Sequence, residues 1–153
     1  MIKVNVVSEE KSWTKKLKKK ELFFNNLFKF FPKKFRFINK EVNLTLLLSN
    51  NKSIKKLNKK FRNKNKHTDI LSFPSKEDLK NLKKVYLGDI IISFDYMDKP
   101  KNLSNHNFKK KIIKIFIHGF LHLLGFDHIK ENEYKIMLNE EKRLFRSVEK
   151  YIN

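Results

Sequence analysis

Three of the five histidines and two of the three glycines of this chain fall in one run of eleven residues, His118-Gly-Phe-Leu-His-Leu-Leu-Gly-Phe-Asp-His128. His118 and His122 are four positions apart, so on a helix their imidazoles share one face, one turn apart. Gly125 stands where a helix can end in a left-handed residue, and that turn can bring His128 over the same face. Three imidazoles from a helix, a turn and the following loop are the ligand set of an open catalytic zinc site. The competing explanation is core packing. It fares badly, because three imidazoles in an apolar helix without a shared partner leave several ring nitrogens unpaired. Neutral imidazole suits zinc first, and nickel, copper or iron also accept three nitrogens. With three protein ligands the fourth position is left to water, whose pKa zinc lowers to about 7.

Asp127 directly precedes the third histidine. It can orient an imidazole, accept a proton from the water, or simply cap the turn, and spacing alone leaves these open. Zinc proteases carry His-Glu-x-x-His, with the glutamate as general base. Here Gly119 takes the glutamate's place. The expectation is open space beside the metal, no peptidase chemistry, and a substrate that brings bulk or charge close to the ion.

A second constellation joins Leu57-Asn-Lys-Lys-Phe-Arg62 to Thr68-Asp-Ile-Leu-Ser-Phe-Pro74 through a basic loop. The chain has only four arginines, Arg36, Arg62, Arg143 and Arg146, so Arg62 is a candidate for work that lysine does poorly. Its planar fork can grip a phosphate or carboxylate through two bonds. The alternative is an ordinary salt bridge to Asp69 or Asp89. His67 and His106 lie in polar stretches and read as surface loop residues rather than ligands.

These residues need elements to position them. Ile2–Val7 alternates as a strand, and Glu41–Leu48 reads as a second strand with a covered end. Ser12 can cap a helix running to about Phe31, closed by Pro32. Ser49 or Asn50 caps a helix to about Arg62, with Ile54, Leu57 and Phe61 on its apolar side. Thr68–Phe73 is a short strand stopped by Pro74, Ser75–Lys84 an exposed loop or hairpin arm, and Val85–Ser93 another strand. Asp95–Asn107 holds at most a short helix. Phe108–Leu124 is the longest apolar-periodic helix, largely buried, with His118 and His122 at the floor of a cleft. A last amphipathic helix runs from about Glu131 to Tyr151. The order β-α-β-α-β-β-α-α predicts an α+β fold: one domain over residues 1–153, with a mixed sheet of about four strands packed against about five helices and the metal site on a central helix.

Composition bounds the rest. Lysine and arginine number 36 and aspartate and glutamate 16, so the formal charge is 36 − 16 = +20. Such an excess favours a polyanionic partner, nucleic acid first. The absence of alanine and the wealth of Lys, Asn, Ile and Phe also fit A/T-rich codon usage, and both accounts stay open for the size of the charge. Either way the surface attracts RNA or DNA in a salt-dependent manner. No cysteine means no disulfide framework and no thiolate ligand. No apolar run approaches the roughly 18 residues that cross a bilayer, and Met1–Ser8 is too short and alternating for a signal peptide, so a cytoplasmic protein without a membrane partner is expected.

With both constellations in view, the chain resembles the YbeY family of bacterial rRNA-maturation endoribonucleases. The family signature H-G-x-L-H-x-x-G-x-D-H is matched without a gap by His118–His128. The segments L-N-x-x-[FY]-R and T-D-[VI]-L-S-F-P are matched by Leu57–Arg62 and Thr68–Pro74, and L-G-D-I by Leu87–Ile90. The resemblance implies a single-strand-specific endoribonuclease acting in 16S rRNA 3′-end maturation and ribosome quality control. It implies one zinc ion on His118, His122 and His128, and an important arginine at Arg62. The implied partners are ribosomal RNA and the small ribosomal subunit, with ribosomal or assembly-factor proteins beside them. The chain departs from the family in lacking alanine and in Asp95–Asn107, which is broken by lysine and proline where relatives carry an acidic helix. The rival expectation is an rRNA-binding ribosome-assembly factor whose metal is mainly structural.

Overall fold

Residues 1–101 and 103–152 are described by a computed structural model of the chain. The period-two pattern of its β-rich segments builds a single four-stranded sheet. β1 (Ile2–Ser8), β2 (Glu41–Ser49), β3 (Ile70–Pro74) and β4 (Lys84–Ser93) lie in the spatial order β1-β2-β4-β3. β1, β2 and β4 are parallel, whereas β3 runs antiparallel along β4 at an edge. The mixture follows from the connections. Parallel neighbours need a long crossover, while β3 returns to β4 through the short loop after Pro74. In β2, Val42, Leu44, Leu46 and Leu48 alternate onto one buried face. In β4, Leu87 and Ile90 join that face despite their odd spacing, because the register slips at a bulge opposite Asn43–Thr45.

Six helices complete the fold among the described residues, one more than the approximate five expected: α1 (Ser12–Lys16), α2 (Lys20–Leu27), α3 (Asn51–Arg62), α4 (Phe94–Met97), α5 (Asn105–Leu123) and α6 (Glu131–Ile152). The extra helix comes from a break in the first one. The expected run from Ser12 to Phe31 stops at Leu17, whose backbone is extended, and restarts after a left-handed Lys19. A continuous helix would set Lys15 over Lys19 and Lys16 over Lys20, like charges at the spacing where they repel. The break sends Lys16 toward Asp98 at 3.7 Å and Lys20 to the Thr14 hydroxyl at 3.0 Å. α2 ends at Leu27, and Pro32 leads instead into a short 3-10 turn, Lys33–Phe35. Of the two proposed caps for α3, Asn50 holds the position, its side chain accepting the Ser53 N–H at 2.9 Å. Between Asp95 and Asn107 lie the end of the short α4 and the start of α5, whose cap is Ser104; Asn102 lies outside the described residues.

α2 and α5 cover one face of the sheet, with α6 packed on α5, and α3 covers the other. On the α3 face, Ile54 packs with Leu71 and Ile91. On the larger face α5 runs through the core, burying Phe108, Ile112, Ile113, Phe116, Phe120 and Leu121. Phe116 meets Phe24 at 5.0 Å between ring centroids, and Phe120 meets Phe28 at 5.1 Å. These edge and tilted contacts fix the rotation of α5 about its axis, and with it the direction in which His118 and His122 point. Among the described residues no helix is long and apolar enough to cross a membrane.

Candidate metal centre and its cleft

The last two turns of α5 carry His118 and His122 on the side away from the phenylalanines. The helix then closes as sequence predicts. Gly125 adopts φ +97°, its N–H bonds the His122 carbonyl at 3.0 Å, and the Phe126 N–H reaches the Leu121 carbonyl at 3.0 Å. This paired closure reverses the chain at the one residue that tolerates the turn without strain. His128 follows in the loop, and the nearest ligating nitrogens of His118, His122 and His128 all lie within 4.8 Å of one another.

Hydrogen bonding fits two of the three rings to a cation. The His122 Nδ1–H donates to the Phe126 carbonyl at 3.0 Å, an oxygen that can only accept. The His118 Nδ1–H donates to Glu141 Oε1 at 2.7 Å. Both protons are thereby assigned to Nδ1, and both Nε2 atoms present lone pairs. Those two Nε2 atoms face each other at 3.1 Å, where bare lone pairs repel and a shared cation satisfies both. That separation is close to the roughly 3.3 Å spanned by two nitrogens each about 2.05 Å from a tetrahedral zinc. Burial, and then the neighbouring His118 and His128 rings, hold the His122 imidazole below the usual histidine pKa and so in the neutral form a metal requires. Among the described residues the cluster has three protein donors.

Glu141, on α6, is the main participant that sequence reasoning missed. A carboxylate behind a ligating histidine fixes its tautomer and raises its basicity. Asp127 sits at the cleft wall, and its Oδ1 accepts the His128 backbone N–H at 2.8 Å, the turn-capping role weighed for it; among the described residues its second oxygen makes no such bond. Gly119 corrects an expectation. It does not open space beside the metal but is buried against the sheet. A Cβ there would stand 2.7 Å from Ile70 Cδ1 and 3.2 Å from both Ile90 Cγ2 and Ser72 Oγ. Glycine fits here because any Cβ would press on the side chains that β3 and β4 turn toward α5, first of all the Ile70 δ-methyl.

Arg62 ends α3 and joins the same cleft, which His118, His122, Asp127, His128, Lys64 and Asp69 also line. The salt bridges considered for it do not form. Asp69 Oδ1 accepts the Ile70 N–H at 2.8 Å, and Asp89 accepts the Tyr86 hydroxyl. Arg62 instead donates from Nη2 to the Ser72 carbonyl at 2.8 Å. Among the described residues no carboxylate pairs with it, so its remaining N–H groups are available to an anion. Asn58, also unassigned from sequence, secures this geometry: it is buried, and its side-chain amide holds the Lys66 carbonyl at 2.9 Å, pinning the loop after Arg62. His67 lies apart, its Nδ1 2.8 Å from the Tyr96 hydroxyl, and His106 is exposed in the first turn of α5.

Fold and site together define a class: α+β domains in which a central helix and the loop after it carry a three-histidine cluster, facing an arginine from a neighbouring helix. Comparison with known proteins narrows the class. The family model described as Endoribonuclease YbeY matches residues 5–149. A protein named Endoribonuclease YbeY from Pelagibacter ubique is 59% identical over 148 residues, covering 97% of each chain. Another of that name from Persephonella marina is 34% identical over 113 residues, covering 73% of this chain and 74% of its own length. A solution structure of a protein from Thermotoga maritima superposes with a TM-score of 0.57 at 26% identity, covering 97% of this chain and 89% of that one. The chain belongs to the YbeY endoribonuclease family.

Proposed function

We propose that this protein is a single-strand-specific, metal-dependent endoribonuclease acting in 16S rRNA 3′-end maturation and ribosome quality control. Family membership and near-full-length identity to a protein named for the activity support RNA hydrolysis as the reaction class. The observation that carries the reading to this chain's own residues is the meeting of Arg62 with the three histidines in one cleft. His118, His122 and His128 would hold a single zinc ion. Bound there, zinc supplies Lewis acidity and lowers the pKa of water.

The protein's groups then divide the work. Arg62 grips a non-bridging phosphate oxygen with the N–H groups not committed to Ser72 and offsets the charge that builds there. The free oxygen of Asp127 accepts the proton of the attacking water. Glu141 keeps His118 in the ligating tautomer. The +20 surface holds the RNA backbone, and ribosomal RNA within the small subunit, with ribosomal or assembly-factor proteins, would supply sequence context. Cytoplasmic location follows from that substrate. A mainly structural metal in an rRNA-binding assembly factor is the weaker account, because structural zinc is normally closed by a fourth protein ligand.

Purified protein given stoichiometric zinc and a single-stranded rRNA fragment should cut it, and His118→Ala should abolish cutting. Equal cleavage by the two proteins would trace the activity to a contaminant and sink the assignment.

A further inference from the structure

Phe61 lies in the last turn of α3 beside Arg62, yet the residue is 59% exposed. The anchoring of α3 does not need it, since Ile54 and Leu57 make the contact with Leu71 and Ile91. Phe61 meets the Phe73 ring at 5.5 Å between centroids with the planes 61° apart. The Arg62 guanidinium lies over that same Phe73 ring, Cζ 5.5 Å from its centroid. Phe73 thus links the exposed ring to the arginine of the histidine cleft. The Lys60 ammonium lies over the Phe61 ring, 5.2 Å from its centroid. Lys59, Lys60, Lys64 and Lys66 flank Phe61 in sequence and are exposed, and Lys64 lines the cleft itself.

An exposed aromatic ring among cations is a surface that stacks an unpaired base while its phosphates are neutralised. A duplex keeps its base faces covered by one another and has none to offer. We propose that Phe61, backed by Phe73, stacks an unpaired nucleobase next to the phosphate that Arg62 holds, and is the residue that selects single-stranded RNA. The inference rests on the reading of the cleft as an RNA site. The Lys60 ammonium does not compete. A lysine over an exposed ring is worth about two- to fivefold in affinity, whereas base stacking on an aromatic is worth about 5- to 150-fold. Once displaced, that ammonium is free to meet the adjoining phosphate.

The test measures binding of the metal-free protein, which cannot be confused with turnover, to a short fluorescein-labelled single-stranded RNA and to the same RNA with one abasic nucleotide moved along it. Phe61→Leu should weaken binding to the intact strand at least about fivefold, and Phe61→Trp should match or exceed the wild type. One abasic position should cost the wild type the same factor and cost Phe61→Leu nothing. Affinity for a duplex of the same sequence should not change in either variant. Equal affinity of Phe61→Leu and wild type for the intact strand overturns the stacking assignment, as does an abasic scan that is flat in the wild type. A wild type with no measurable affinity for any of these RNAs overturns the RNA reading of the cleft itself, a result distinct from the other two.

Discussion

The two sides of helix α5 meet opposite demands. On one, Phe116 and Phe120 are fully buried within the hydrophobic core. On the other, His118 and His122 are half-buried, and each spends one ring nitrogen on a specific acceptor and turns the other toward the cleft. Non-directional packing sets where the helix lies, and hydrogen bonds set what its histidines can bind. The precision of the second side depends on the first, because the one-turn spacing of the ligands aims at a common point only while α5 cannot rotate. His128 differs from both. It is exposed, comes from the loop, and is held through its backbone N–H by Asp127. Two histidines of the cluster are built into a rigid element and the third arrives on a turn.

Breaking the apolar side should cost the most stability. Phe120→Ala should destabilise the fold by about 3–5 kcal/mol, since it removes a buried ring and leaves a cavity. For a domain of this size that lowers the thermal midpoint by roughly 2–4 °C per kcal/mol. Below the transition the folded protein should still bind zinc with most of its affinity. Calorimetry with and without zinc reads both quantities, and a variant of normal stability that no longer binds zinc would reverse the division of labour between the two sides.

Gly119→Glu restores the spacing of a zinc-protease helix and should come next. The added side chain would be driven against Ile70, Ile90 and Ser72 in a close-packed site, costing about 1–3 kcal/mol from overpacking, with the desolvation of its carboxylate added to that. Loss of soluble, folded protein, or a sharply lowered midpoint without any peptidase activity, is the expected result. A variant with the wild-type midpoint would mean that the side chain finds open space after all.

The misreading of Gly119 shows what a sequence withholds. A missing side chain is visible there, but whatever fills its place comes from β3 and β4, some 30 to 50 positions away. The histidine cluster was legible because it is local: helical period pairs His118 with His122, and one glycine turn returns His128. The sheet was legible for a similar reason, as alternation marks each strand by itself. The break in the first helix was a matter of competing local signals, with apolar spacing arguing for continuity and stacked lysines against it. Arg62 could be singled out by its rarity, but its place beside the histidines depends on α3 ending at the cleft, which only the packed fold decides.

Glu141 is the sharpest case of what sequence hides, and it carries the smallest of the expected effects. It lies 23 positions from His118 on a helix that also bears Glu131, Glu133, Glu140 and Glu149, and nothing local distinguishes it. Only the docking of α6 on α5 sets its carboxylate 2.7 Å from Nδ1. Glu141→Ala should weaken zinc binding about 10- to 100-fold while leaving the thermal midpoint of the metal-free protein nearly unchanged, because the lost partner is a half-exposed hydrogen bond rather than core. Glu141→Gln separates two contributions. It keeps an acceptor for the Nδ1–H, and so the ring's orientation, but removes the charge that raises ligand basicity. An affinity midway between wild type and Ala would assign part of the effect to each. Gln equal to wild type would leave orientation as the whole role, and Gln equal to Ala would make the charge the reason that α6 is docked with this residue facing the histidine side of α5.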